Sequence, residues 1–505
     1  MNFISTHLLS LILFFPLLAG VVMLFLPGSE NKLHRWFALG ASLVPFALSL
    51  MVWFQFEAGK PGFQFEETYS WYPAIGSSLH LGVDGLSLTM VLLTTLLTPL
   101  AVLASFSITE KVKAYMMLFL FLETGMLGVF MSLDLLVFFV FWEVGLVPMY
   151  FLINQWGSAN RNYASMKFII YTMGGSLGLL LAIQLLGVLF KTYDLQFITA
   201  NWSVYNSPIG GITAQTFKNI AFWAFVIAFA VKVPVWPFHT WLPDAHTEAP
   251  TAGSMLLAGV LLKLGAYGFL RLVLPLYPVE AKYFAGALAF LATAAIVFGA
   301  LASYAQTDFK RLVAYSSVNH MGFVMLGVAA AGLASGTNNA TIALNGAILQ
   351  MFNHGLSAAG MFFLVGVIYE RTHTRNLEEF GGLFPLVPVY GGILIFTSMA
   401  SLGLPGLNGF ISEFLVVRGT WPILTIYTAI SMLGLLFTGA YILKGIKKVL
   451  HGPMNEHWAH DEHKLAEINT REILVMAPLM ILILWIGIYP AWILDVINKA
   501  VVMLF

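Results

Sequence analysis

Residues 228–251 read AFAVKVPVWPFHTWLPDAHTEAPT, and this stretch decides the fold. Its first residues close an apolar run that starts near 218 and is long enough to cross a membrane. Lys232 then meets Pro234 and Pro237, which remove backbone donors and interrupt a helix. Two histidines, an aspartate and a glutamate follow, and Lys263 lies inside the next apolar run. Charge and irregular backbone at membrane depth persist only where protein or water surrounds them. The rest of the chain is expected to be built around housing this break.

Composition agrees. Of 505 residues, 59% are hydrophobic and 10% charged, against about 25% charged in soluble domains. This is an integral membrane protein. Cysteine is absent, which excludes disulfides, thiolate metal sites and cysteine-held iron–sulfur clusters. Zero formal net charge argues against nucleic-acid binding. No Walker A sequence and no strand-borne GxGxxG occurs, so this chain is expected to bind no cofactor itself. MNFISTHLLSLILFFPLLAG lacks a basic leader region and reads as a retained first helix.

Hydropathy gives an all-α polytopic membrane protein of about 14 transmembrane helices. They are expected near 5–26, 36–56, 80–107, 114–132, 135–153, 168–190, 218–241, 251–273, 283–304, 312–330, 340–369, 386–419, 424–450 and 473–498. The seventh is broken at Pro234 and Pro237, the twelfth within SLGLPGLNGFISEF. Breaks five spans apart predict two inverted five-helix repeats, helices 4–8 and 9–13. The expected divisions are 1–110 for helices 1–3, 111–275 and 276–450 for the two repeats, and 451–505 for a loop and the last helix. With both termini outside, the inner connections carry most of the basic residues, Lys310, Arg371, Lys447 and Lys448 among them. The outer ones carry Lys60, Lys191, Lys218, Arg271, Lys282, Arg418 and Lys499.

Ionisable residues within spans are candidate proton sites. A charge at the bilayer centre costs roughly 2.5–3.5 kcal/mol on insertion scales, so each needs a partner or a role. Glu143 lies in FFVFWEVGLVPMYF and reads as a proton site or as a carboxylate tying two helices together. Lys232 is either a proton carrier, since burial lets a lysine titrate, or a cap on carbonyls freed by the break. Lys263 has no polar neighbour in sequence and no easy reach to the interface. His320 and His354 suit a relay, but equally suit plain interhelical hydrogen bonds. Glu413, after the second break, is a candidate terminal site. Glu123, His239 and Lys444 are secondary candidates, and Lys444 can instead snorkel. Asp134 reads as a helix-boundary residue. His457, His460 and His463 in EHWAHDEH look metal-like, but a solvated loop is the better reading.

The stretches FFVFWEVGLVPMYFLI, AFAVKVPVWPFHTWLPDAHTEAPTAGSMLLAGVLLKLGAYG, AQTDFKRLVAYSSVNHMGFV, NHGLSAAGMFFLVGVIYERTHTRN and LGLPGLNGFISEF resemble the subunit M type of the proton-pumping NADH:quinone oxidoreductases. That is respiratory complex I, within the antiporter-like superfamily that includes Mrp-type sodium/proton antiporters. The family's twelfth-helix site is glutamate in the M type and typically lysine in the L, N and Mrp types; here it is Glu413. The resemblance implies a charged pair Glu143–Lys232, a central Lys263, a hydrated axis through His320 and His354, and a terminal Glu413. It implies a non-redox subunit of a bacterial inner-membrane complex, with L-type and N-type neighbours and lipid around it. FMN and iron–sulfur clusters would lie in other subunits, and quinone reduction elsewhere would drive the protons. A subunit of an Mrp-type antiporter and a passive spacer are the alternatives.

Overall fold

The computed structural model describes residues 6–459 and 465–504. Its spans run α1 Leu8–Phe25, α2 Asn31–Gln55, α3 Gly85–Ser107, α4 Val112–Met131, α5 Leu135–Trp156, α6 Arg161–Phe190 and α7 Ala214–Lys232. They continue with α8 Thr251–Leu276, α9 Ala285–Ala305, α10 Phe309–Leu333 and α11 Asn338–Thr372. Then come α12, split into Pro388–Leu402 and Asn408–Thr420, α13 Thr425–Leu450 and α14 Thr470–Ile488. Among the described residues 13 helices are long and apolar enough to cross a membrane; α12 supplies the fourteenth passage as two shorter pieces.

Both breaks fall where the prolines and glycines put them. α7 stops at Lys232, turns through 233–240, and resumes as Trp241–Glu248. The first half of α12 ends on Gly403, whose φ of 85° is a left-handed cap that glycine adopts without penalty.

The inverted repeat is written in the backbone. Asp134 caps α5, accepting from the amides of Leu136 and Val137, and pairs with Asp194 just beyond α6. Leu135 donates to the Tyr193 carbonyl and Leu195 to that of Leu133, both at 2.8 Å. Five helices later Asp308 caps α10 through Arg311 and pairs with Asn376 just beyond α11. Phe309 donates to the Arg375 carbonyl at 2.8 Å and Leu377 to that of Thr307 at 2.7 Å. An odd offset of five spans puts the two matching knots on opposite faces of the bundle. Asp134 is thus the boundary residue that the sequence suggested.

Three features differ from expectation. The third span starts at Gly85 rather than near 80, because 64–83 form a two-stranded hairpin, β1 Gln64–Tyr72 and β2 Ser77–Val83. The hairpin is strapped to α1 by Glu67, which accepts from the amides of Leu9 at 2.7 Å and Ser10 at 3.2 Å at that helix's positive end. The last span ends at Ile488, and Ala491–Met503 form a separate helix, α15, packed against α3 and α11. Finally, Lys218, Arg271 and Lys310 are buried within α7, α8 and α10, so they are not loop charges. Of the histidine-rich loop, His457 is described; His460, His463 and Lys464 lie outside the described residues.

α8 and α11 are enclosed on all sides, whereas α2, α6 and α13 keep most of their surface outward. Small residues permit this enclosure. A Cβ on Gly265 would stand 2.8 Å from the Phe229 carbonyl and 2.9 Å from the Val233 amide, so α8 lies directly on the α7 break.

The buried axis of ionisable side chains

At one flank stands Glu143 on α5, half-buried, with Oε1 unbonded among the described residues. It lies within electrostatic reach of Lys232. Lys232 ends α7, and its Nζ makes no hydrogen bond among the described residues. It rests 4.6 Å from the centroid of the Trp142 ring, a cation–π contact. Trp142 is itself fixed by its indole N–H on Ser176 Oγ at 2.9 Å. The carbonyls near the break have other partners. Ala230 accepts from Val235 at 2.7 Å, Val231 from the Trp241 indole at 2.8 Å, and Phe229 from Val233 at 2.9 Å. Lys232 is therefore not their cap.

The centre is Lys263. A widened helical turn at Leu257–Leu261 releases the Ala258 carbonyl. Lys263 Nζ donates to it at 2.5 Å and stands 2.7 Å from His354 Nδ1. Ammonium has only donors, so with Lys263 charged Nδ1 accepts and Nε2 carries the ring hydrogen. That Nε2 has no partner among the described residues. The His354 and His320 rings follow with centroids 5.7 Å apart.

At the other flank His320 Nδ1 is 2.7 Å from Glu413 Oε1, and its Nε2 is 3.2 Å from the Tyr441 hydroxyl. Gln350 donates to the same carboxylate oxygen at 3.0 Å and accepts from Ser412 at 2.5 Å. Glu413 also lines a cavity of about 290 Å³ beside Phe410, Phe414 and Met432. The contacts from Lys263 to Glu413 thus join residues of both repeats, and Glu143 stands apart at the other flank, within electrostatic reach of Lys232.

The secondary candidates lie apart from it. Glu123 is fully buried on α4, with neither carboxyl oxygen bonded among the described residues. His239 sits partly exposed at the break, 6.1 Å from the Tyr315 ring. Lys444 donates to the carbonyls of Tyr304 at 2.6 Å and Gln306 at 2.8 Å, capping the end of α9.

Residues that the sequence did not single out gather round the centre. His246 is fully buried, stacked 4.3 Å over Phe362, with both ring nitrogens unbonded among the described residues. It lies within electrostatic reach of Lys263 and of Lys310, which donates to the Ala249 carbonyl. Toward the side of the termini, Arg271 bonds Tyr267 at 3.2 Å and Asp84 at 2.5 Å. Burial alone would raise the Asp84 carboxyl, but Arg271 and the Ser87 hydrogen bonds hold it below its ordinary value. The faint signal for Arg271 was a second charge eight residues beyond Lys263 within the same apolar run.

The family model described as NADH:quinone oxidoreductase/Mrp antiporter, transmembrane, matches residues 132–444. The chain belongs to this family. Members similar to it include NADH-quinone oxidoreductase subunit M of Rhodobacter capsulatus, 40% identical over 98% of this chain and 96% of that protein. NAD(P)H-quinone oxidoreductase chain 4 1 of Nostoc sp. is 39% identical over 97% of this chain and 89% of its own. A chain of respiratory complex I from Thermus thermophilus superposes with a TM-score of 0.85 at 27% identity, covering 98% of this chain and 99% of that one. A chain of the Mrp complex from Dietzia shares the fold, with a TM-score of 0.81 at 23% identity over 98% of this chain and 52% of that one. The family model spans the whole axis from Glu143 to Glu413.

Proposed function

We propose that the chain is the M-type proton-translocating membrane-arm subunit of an NADH:quinone oxidoreductase. Its protons move along Glu143, Lys232, Lys263, His354, His320 and Glu413. The observation that carries this reading is the continuity of the centre: Lys263, His354, His320 and Glu413 succeed one another at 2.7 Å, 5.7 Å between rings, and 2.7 Å. Across the middle gap His354 Nε2 is unbonded among the described residues, and His320 takes part by exchanging its contact with the Tyr441 hydroxyl. Each group accepts and gives up a proton without any change of oxidation state, which suits a subunit that does no redox chemistry. FMN, iron–sulfur clusters and the quinone site belong to other subunits, and quinone reduction there drives the transfer.

Glu143 opens among the outward apolar residues Val140, Val144 and Val147, and Glu413 lies at the other flank beside outward Phe414 and Met432. Apolar flanks each carrying a carboxylate suit packing between two related subunits, of L and N type, in the inner membrane of a bacterium. The termini, the hairpin and α15 lie on the outer side, and the Lys447–Lys448 end of α13 lies inside, as the basic-residue bias requires.

The test is the assembled complex in proteoliposomes, with NADH oxidation and proton uptake measured together. Glu143→Gln and Lys232→Ala are expected to assemble, yet lose most pumping per electron, while Glu143→Asp is milder. Normal proton-to-electron stoichiometry in both variants overturns the relay. Sodium-dependent transport without redox coupling would assign the chain to the antiporter branch.

A further inference from the structure

Where α13 ends beside the end of α9, on the side opposite the termini, lies a cavity of about 600 Å³. Lys444, Lys447, Lys448 and His451 line it, with Tyr304 and Glu378. We propose that it holds the phosphate headgroup of an anionic phospholipid.

The charge in it is not balanced from within. Glu378 is the one carboxylate on the wall, and it is taken by Lys448 at 2.7 Å. Lys444 spends two of its three hydrogens on the Tyr304 and Gln306 carbonyls and keeps one. The Lys447 ammonium has no hydrogen-bond or ion-pair partner among the described residues; only its backbone carbonyl is engaged, accepting from His451. Two cationic groups therefore converge on the cavity with donors to spare, which is the complement of a phosphodiester.

Depth distinguishes this site from an ordinary fringe of surface lysines. Lys444 precedes the end of α13 at Leu450 by six residues, or about 9 Å along the axis. Its ammonium lies 5.2 Å from the Tyr304 ring, at the level where amphipathic aromatics meet headgroups. Below it Leu443 and Leu436 are 55% and 69% exposed, an apolar wall for acyl chains. A basic pocket between helix ends above a lipid-facing wall suits a lipid headgroup better than a soluble anion.

The assembled complex in vesicles provides the test, read by hydrogen exchange of the 377–382 and 451–455 backbone. Vesicles containing phosphatidylglycerol are expected to slow exchange in both loops relative to phosphatidylcholine alone. Lys447→Gln, which breaks no hydrogen bond or ion pair among the described residues, is expected to weaken that protection roughly fivefold, the share of one lysine near a charged surface. Three results would each overturn the proposal. They are equal exchange in both vesicle types, unchanged protection in Lys447→Gln, and equal protection from inorganic phosphate added to phosphatidylcholine vesicles.

Discussion

Lys263 on α8 and His354 on α11 meet at 2.7 Å, and this contact joins the two inverted repeats at the middle of the bundle. A lysine there can release its proton to the ring; an arginine, always charged, cannot. Lys263→Arg is therefore expected to keep a donor for the Ala258 carbonyl and yet pump about a hundredfold more slowly, the lower end of the usual contribution of one proton-transfer group. Dye-quench rates in proteoliposomes, normalised to NADH oxidation, measure this. Wild-type pumping by Lys263→Arg would remove Lys263 from the path.

His246 offers a second check on the centre. Its ring stacks on Phe362 with both nitrogens unbonded among the described residues. His246→Phe preserves the stack and adds no unsatisfied polar atom, so assembly is expected to be normal. Pumping is expected to fall if the ring passes protons to Lys263, and to stay unchanged if the ring only packs. The same assay decides between them.

Much of this was legible in the sequence, and the remainder has definite physical reasons for escaping it. Long apolar runs and proline breaks fix the number and order of spans, since no other backbone satisfies itself in lipid. Glu143, Lys232, Lys263 and Glu413 stand out because charge inside such runs is rare. Arg271 and Lys310 did not. Each lies near the end of a span, where a snorkelling residue and a buried one look alike, and their partners Asp84 and Ala249 are far away in sequence. The hairpin was hidden because QFEETYSWY is polar and short, and its pairing depends on β2. The contact between His320 and Glu413, 93 residues apart, could only come from the fold.

Gly265 sets how closely α8 approaches the break. An alanine methyl there would press on the Phe229 carbonyl, the Val233 amide and Lys232 Cβ, at 2.8, 2.9 and 3.0 Å. Gly265→Ala is expected to destabilise the subunit by about 1–3 kcal/mol, the range for overpacking. Thermal scans of the purified complex would show it. An unchanged transition would mean that α7 and α8 separate freely.

The Asp84–Arg271 pair predicts strong coupling. Removing the guanidinium strands a largely enclosed carboxylate, which costs at most about 3–5 kcal/mol, the range for a fully buried pair, whereas replacing both partners can be nearly neutral. Arg271→Met alone is expected to assemble poorly. Asp84→Asn with Arg271→Met is expected to recover most of the complex, because asparagine still caps α3. Subunit content of isolated membranes reports both. Full assembly of the single variant would show that the pair is not needed.

His80 on β2 lies 2.9 Å from Asp194 and 3.0 Å from Glu66, clasping the hairpin to the segment after α6. The Asp194 hydrogen bond raises the imidazole pKa against burial, with Glu66 adding to it. A raised histidine contributes stability that is complete below its unfolded value, about 6.5, and is lost as pH climbs through its higher folded value. For Asp194, burial works upward, but the His80 hydrogen bond and the Phe197 amide bring the carboxyl below its ordinary value. Its share is present above the unfolded carboxylate value and lost in stronger acid. The clasp is therefore tightest in mild acid and loosens toward alkaline pH, by an amount on the order of 0.5 kcal/mol for a partly exposed pair. Hydrogen exchange of residues 64–83, corrected for intrinsic rates, is expected to quicken as pH rises past neutrality. In His80→Gln it is expected to be flat with pH, and a wild-type profile in that variant would show that another group holds the hairpin.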